Sequence, residues 1–245
     1  MPNIGLQLYT VRDVIKNDFA GTLKKVAKIG YAGIEGGGTG PMQKDEYLKF
    51  MKEIGLIPIS SGAGVDSVVQ KGDEIMKAAS ELGVKYMMAS SGCKSAKEYQ
   101  DLAVKLNTCG KTANKYGITF QYHNHAHEFQ KYDGKSGFDI LVEGTDPALV
   151  KFQVDAGWVN WAGENPAATL RRLKGRIVTI HVKDHTPGEN KQFTEVGTGA
   201  LPLAEVVKAA VEIGVQWMFV EQDTCARPTI ESAEISFKNL KKALG

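Results

Sequence analysis

Seven times along this chain an amphipathic, helix-like stretch ends in glycine and gives way to an apolar, β-rich run. KKVAKIG precedes YAGIEG, KFMKEIG precedes LIPISS, AASELG precedes VKYMMASS and KTANKYG precedes ITFQYH. DILVEG leads through a Thr-Asp-Pro turn into VKFQVDAG, RRLKG precedes RIVTIHV, and AAVEIG precedes VQWMFVEQ. The junction glycines are Gly30, Gly55, Gly83, Gly117, Gly144, Gly175 and Gly214, with spacings of 25, 28, 34, 27, 31 and 39 residues. Glycine is expected at a helix C-terminal cap because it takes positive φ without a Cβ clash. With an opening strand at Ile4–Tyr9 and a last helix at about Ile230–Leu244, the pattern predicts eight strands, each followed by a helix.

Eight βα units of about 30 residues have the dimensions of a (β/α)8 TIM barrel. Runs such as MMAS and IVTIHV are the continuous apolar strands that a parallel sheet buried on both faces requires. The same alternation also fits an open doubly wound sheet. No long polar or Pro/Gly-rich linker divides the chain, so residues 1–245 read as one domain. Gly36-Gly37-Gly38-Thr39-Gly40, after the second strand, lacks the GxGxxG spacing of a dinucleotide site and reads as a loop of tight turns.

Composition permits this fold and narrows its setting. The hydrophobic share of 42% is enough for a packed core. Formal charge is +2 with no basic block, so nothing points to nucleic acid or an anionic membrane. No apolar stretch approaches the ~20 residues of a membrane span, and no charged-then-apolar leader opens the chain. The expectation is a soluble, cytoplasmic protein whose Cys93, Cys109 and Cys225 form no CxxC pair and stay reduced.

All five histidines fall in two short segments, His123-Asn124-His125-Ala126-His127-Glu128 and His181-Val182-Lys183-Asp184-His185, each emerging from an apolar run. Imidazole titrates nearest neutral pH and is the commonest metal ligand. A barrel carries its chemistry at the C-terminal ends of its strands. The polar residues there are Gln7, Tyr9 and Arg12 for strand 1, Glu35 for strand 2, Ser60 and Ser61 for strand 3, and Ser90 and Ser91 for strand 4. They become denser afterwards: Gln121, His123, Asn124, His125 and Glu128 at strand 5, then Asp155 and Trp158 at strand 6. Strand 7 offers His181, Lys183 and Asp184, and strand 8 offers Glu221, Gln222 and Asp223.

Singly, each has an ordinary explanation: His181 as a satisfied core histidine, Asp155 as a loop cap, Glu221 as the partner of Lys183. Jointly, a carboxylate, an imidazole and a second carboxylate at equivalent ends of three successive strands point to a site, because such groups are costly to desolvate unless a cation or mutual hydrogen bonds compensate. Mixed carboxylate and imidazole ligation without thiolate suits Mn²⁺, Co²⁺, Mg²⁺ or Zn²⁺. His127 and His185 are weaker candidates, as solvated loop histidines. The cysteines read as core or surface thiols, although Cys225 follows strand 8 closely enough to line a site.

The sequence resembles the sugar phosphate isomerase/epimerase family of xylose isomerase-like TIM barrels, essentially end to end. The resemblance rests on Gln7-Leu8-Tyr9-Thr10-Val11-Arg12, YHNHAHEF, VDAGWVNWAG, RIVTIHVKD and VEQD. It implies a divalent metal held by a Glu, an Asp, a His and a second Glu from strands 5 to 8. Asp155, His181 and Glu221 match the last three, with the 26-residue separation from Asp155 to His181 expected there. The first position departs from the pattern: strand 5 reads Gln121-Tyr122-His123-Asn124-His125, and Glu128 is the candidate carboxylate, with His123 or His125 as alternatives.

The implied activity is isomerisation or epimerisation of a keto-sugar, sugar phosphate or cyclitol through a metal-stabilised enediolate. Glu128 and Glu221 are then the expected proton-transfer pair. Tyr9, Glu35, His123, His125, Trp158 and Lys183 are the expected substrate contacts, with Glu35 and Tyr9 at the far side of the pocket and Trp158 stacked on an apolar sugar face. Gly197-Thr198-Gly199 reads either as a phosphate-binding loop or as a plain turn. A dehydratase or lyase on a keto-sugar or inosose would use the same groups. An endonuclease IV-like DNA repair enzyme and a non-catalytic sugar-binding barrel are the remaining classes, and a homo-oligomer stays open.

Overall fold

In the computed structural model, which describes residues 1–245, six of the seven junction glycines have positive φ. Gly30 and Gly55 end their helices in the left-handed region, at φ 118° and 72°. Gly144 is the exception: it is the last residue of its helix, which leaves through an extended Thr145. A Cβ at Gly144 would come within 2.8 Å of the Ala103 Cβ, so this glycine serves close helix packing instead of a left-handed cap.

The strands are β1 (Asn3–Gln7), β2 (Gly33–Glu35), β3 (Ile57–Gly62), β4 (Tyr86–Ala89), β5 (Thr119–His123), β6 (Val150–Asp155), β7 (Ile177–Val182) and β8 (Trp217–Val220). Each is followed by an outer helix, in order α1 (Phe19–Ile29), α2 (Lys44–Ile54), α3 (Val65–Glu81), α4 (Ala96–Asn114), α5 (Gly137–Gly144), α6 (Pro166–Arg172), α7 (Leu203–Glu212) and α8 (Thr229–Leu244). The sheet closes in the order β1-β8-β7-β6-β5-β4-β3-β2 with every pair parallel, a single-domain (β/α)8 TIM barrel, which excludes the open sheet. No helix is long and apolar enough to cross a membrane.

Three details bear on function. β1 stops at Gln7, whose side chain accepts the Tyr9 N–H and starts a 3₁₀ turn at Leu8–Val11. The strand is therefore two residues shorter than the predicted Ile4–Tyr9, and Tyr9 stands beyond its end, half exposed. Two short hairpins, Lys131–Tyr132 with Lys135–Ser136 and Asp184–His185 with Phe193–Thr194, rise after β5 and β7.

The barrel interior changes character along the strands. Ile59, Tyr86, Trp217 and Phe219 form an apolar plug separate from the main core between strands and helices. Trp217 and Phe219 stack at 5.9 Å, and space for them comes from β1 and β2: a Cβ on Gly5 would lie 2.5 Å from Phe219, and one on Gly33 2.8 Å from Trp217. Two residues further along those strands, on the same face of the pleat, stand Gln7, Glu35 and Glu221.

Candidate metal centre

Register assembles the centre. Asp155 on β6 pairs with His181 on β7, His181 pairs with Phe219 on β8, and β5 ends at His123. Ligand atoms of His123, Asp155, His181 and Glu221 all lie within 4.8 Å of one another, and all four residues are buried. Asp155 Oδ1 accepts the Trp158 N–H at 2.9 Å and caps the short helix Ala156–Trp161. Its Oδ2 is buried without a hydrogen-bond partner. That oxygen stands 3.8 Å from His123 Nε2 and 3.9 Å from His181 Nδ1. Those separations are too long for hydrogen bonds. They suit atoms sharing one ion through bonds of about 2.0–2.2 Å. The donor set, two imidazoles and two carboxylates without thiolate, therefore fits a divalent cation.

Glu128, expected as the fourth ligand, lies outside this group. It follows the end of β5 by five residues, in a 3₁₀ turn at His127–Phe129. Its carboxylate turns inward to accept the Tyr122 hydroxyl at 2.8 Å and the His125 N–H at 2.8 Å. It is fully buried, and burial raises its pKa. With His125 and His127 it forms a second, smaller group of possible ligands. The strand-5 place in the main group is taken by His123, whose pKa is pushed well down by burial and by the nearby His181 and Lys183, keeping the ring neutral.

Glu35 is also displaced from its expected place at the pocket wall. It lies fully buried beneath His181, accepting from Gln7 Nε2 (2.7 Å), Ser60 Oγ (2.5 Å) and Gln153 Nε2 (2.7 Å). His181 Nε2 meets Glu35 Oε1 at 2.5 Å, and its Nδ1 meets Glu221 Oε2 at 2.7 Å. Both ring nitrogens thus face carboxylate oxygens. Burial pulls the imidazole pKa down, but Glu35 and Glu221 outweigh it and hold it at about 10. A carboxylate that orients a ligating histidine from behind is a common supporting partner at metal centres.

Lys183, 1% exposed, reaches in from the end of β7. Its ammonium is 2.9 Å from Glu221 Oε2, 2.9 Å from Asp223 Oδ2 and 3.4 Å from Asp155 Oδ2. Burial opposes its charge, but these three carboxylates raise its pKa. Lys183 and His181 in turn hold Glu221 well below the ordinary carboxylate range, against the upward pull of burial. The ordinary pairing of Glu221 with Lys183 and the joint ligand group therefore coexist.

Above the centre opens a cavity of about 350 Å³ whose wall includes Tyr9, Ser90, His123, His125, Lys183 and Glu221. Of the expected substrate contacts, Tyr9, His123, His125 and Lys183 line it. Glu35 and Trp158 do not. Trp158 packs edge-on against Phe193 of the second hairpin, under the Lys183 ammonium at 5.3 Å. His125 Nδ1 is buried without a partner, and burial together with Lys183 lowers its pKa to about 4.

Gly197 and Gly199 are no phosphate loop, because both N–H groups already donate to Asp184 Oδ2 at 2.9 and 3.0 Å. His185 is buried, its ring engaged by Asn160 and the Thr186 carbonyl. Beneath the ligand group lies a polar layer in which Thr179 donates to Gln121 at 2.9 Å and Gln153 donates to Thr179 at 3.1 Å, and of the three only Gln121 was expected among the strand-end polar residues. Its signal is present: Gln121, Gln153 and Thr179 each stand two residues before His123, Asp155 and His181.

A closed (β/α)8 barrel with a buried His/Asp/His/Glu group at its strand ends defines a class of barrel enzymes with a possible metal centre. A family model of the xylose isomerase-like TIM barrel matches residues 23–243, and the chain belongs to that family. It is similar to an inosose dehydratase of Bacillus anthracis, 28% identical over 167 residues, covering 60% of this chain and 55% of that protein. The chain thus matches about half the length of that relative. In fold it is similar to a sugar phosphate isomerase/epimerase from Parabacteroides distasonis (TM-score 0.85, 24% identity, 100% of this chain and 96% of that one). It is also similar to the IOLI protein solved with a zinc atom (TM-score 0.75, 17% identity, 98% and 96%).

Proposed function

We propose that this protein is a divalent-metal-dependent enzyme that removes the proton beside the carbonyl of a polyhydroxylated ketone, and that loss of water from the next carbon follows. The observation that carries the reading is the single cavity that joins His123 and Glu221 of the ligand group to Lys183 and His125. His123, Asp155, His181 and Glu221 would hold the cation. When bound, such an ion polarises the substrate carbonyl and stabilises the negative charge left by proton loss.

The remaining work belongs to the side chains. Glu221, ionised beside Lys183 and His181, is the group placed to take the proton. The electron pair of the broken C–H bond moves toward the carbonyl and then forms a C=C bond as the neighbouring C–OH bond breaks. The departing hydroxyl takes the proton that Glu221 removed and leaves as water, which returns Glu221 to its ionised form. His125, neutral and with Nδ1 free, is the second proton-transfer group on the wall, in the role expected of Glu128. Lys183 donates to substrate oxygens and keeps Glu221 charged.

The similarity to inosose dehydratases favours dehydration of a cyclitol ketone. Return of the proton, giving isomerisation or epimerisation, is the second reading, favoured by two proton-transfer groups on one cavity. The test is incubation of Mn²⁺- or Zn²⁺-loaded protein in D₂O with inososes, ketoses and their phosphates, followed by NMR. Loss of water marks the dehydratase, and deuterium at a retained C–H marks the isomerase or epimerase. Metal-loaded protein that produces neither with any member of the panel sinks the proposal.

A further inference from the structure

A second cavity, about 580 Å³, lies beside the first and shares Gln7 and Tyr9 with it. Its wall is unlike that of the metal centre. Leu8, Ile15, Phe19 and Pro41 are apolar, Arg12 and Lys16 are cationic, and no acidic side chain lines it. The glycine run after β2, which the metal centre does not use, forms one side. Gly37 has φ +85° and Gly40 φ +58°, and a Cβ there would lie 2.5 Å from the Leu8 side chain and 2.6 Å from the Phe19 ring. Only bare backbone brings the loop close enough to close this wall.

Arg12 holds in place the wall that the two cavities share. Its guanidinium lies 4.0 Å over the Tyr9 ring and donates to the carbonyls of Tyr9 (2.8 Å) and Asp223 (2.7 Å), tying the end of β1 to the loop after β8. The Asp223 side chain meanwhile pairs with Lys183 in the first cavity. Either space alone falls in the range of about 300–1,000 Å³ typical of small-molecule sites. A single polyhydroxylated ring over the metal centre leaves the apolar, cationic annex unfilled.

We infer that the substrate is a conjugate: the reacting polyhydroxylated ring lies over the metal centre, and an apolar, planar substituent bearing a carboxylate or similar anion fills the annex between the β1 turn and the glycine loop. This rests on the proposed function for the reacting ring alone. Ring faces suit Leu8, Ile15, Phe19 and Pro41, and the anion meets Lys16 and Arg12, where no carboxylate competes.

The probe is 4-fluorobenzoate, titrated into metal-free protein and followed by ¹⁹F NMR so that no bound cation captures the carboxylate. Saturable binding is expected, at least fivefold tighter than for neutral 4-fluorobenzyl alcohol. Ile15→Asp should weaken it at least tenfold, and Lys16→Glu should abolish the preference for the charged probe; both positions lie outside the metal centre. Absence of saturable binding, or binding that ignores both substitutions, overturns the inference. An annex covered by a second copy of the chain would give the first of those results. Solvent-deuterium exchange on unsubstituted keto-polyols reads the metal centre alone. Protein that exchanges protons but ignores the aryl probe loses the annex and keeps the function, and the reverse result does the opposite.

Discussion

Asp155 divides its carboxylate between two tasks, one oxygen capping a helix and the other without a hydrogen bond in the interior, with the Lys183 ammonium 3.4 Å away. A buried acceptor with no hydrogen bond costs about 1–3 kcal/mol, and the Lys183 ammonium at 3.4 Å offsets only part of that, so a cation at Oδ2 would remove the remainder. The same reasoning separates Glu35 from Glu128, two carboxylates that look alike in the sequence. Glu35 is held by four donors, one of them the imidazole of His181, a proposed ligand, so Glu35→Gln should weaken metal binding by about 10–100-fold, as loss of a supporting partner generally does. Glu128→Gln should leave metal affinity unchanged in the same titration, and a large loss there would return Glu128 to the ligand set. Glu221→Gln removes both the proposed ligand oxygen and the proposed proton acceptor, and solvent-deuterium exchange should fall by about 10²–10⁴-fold. Residue type and strand-end position singled out Asp155, His181 and Glu221, which the fold brings together. The choice between His123 and Glu128 was not legible, because it depends on which way a turn folds after its strand has ended.

At the scale of elements, the helix-to-strand glycines carry most of the legible information. They marked all seven helix-to-strand junctions, and the last helix lies within one residue of its expected start. Gly144 shows the limit of the rule, since packing against Ala103 and left-handed capping demand the same residue. The two hairpins escaped notice because strands of two residues are too short for a period-two pattern to emerge. The interior glycines give the element-level prediction. Gly5 faces the Phe219 ring at a distance no real Cβ tolerates, so Gly5→Ala overpacks the plug and should cost about 1–3 kcal/mol in chemical denaturation. Gly92, with nothing within 4 Å of a built Cβ and no positive φ, is the control, and Gly92→Ala should be close to neutral. Equal stability of the two variants would mean that the plug yields around the added methyl group.

For the whole molecule, the metal centre couples stability to pH in two opposing ways. Without metal, His181 is an imidazolium between Glu35 and Glu221, its pKa at about 10 against an ordinary value near 6.5. A raised folded-state pKa contributes stability that is fully present below about 6.5 and is lost as pH rises through about 10. Metal binding runs the other way, because Nδ1 must shed its proton before it can ligate. Affinity should therefore climb by about tenfold per pH unit through neutrality for that one proton. A cation at about 100 times its Kd adds about 2.7 kcal/mol. For a chain of 245 residues that is about 5–10 °C in unfolding temperature. Calorimetry between pH 6.5 and 8.5, with EDTA and with a fixed subsaturating Mn²⁺ concentration, should show the metal-free transition drifting down while the Mn²⁺ increment grows. Glu35→Gln should flatten both trends, since it removes one of the two carboxylates that hold the proton on His181. An Mn²⁺ increment independent of pH in the unaltered protein would mean that no such proton is displaced, and His181 would then have to leave the ligand set.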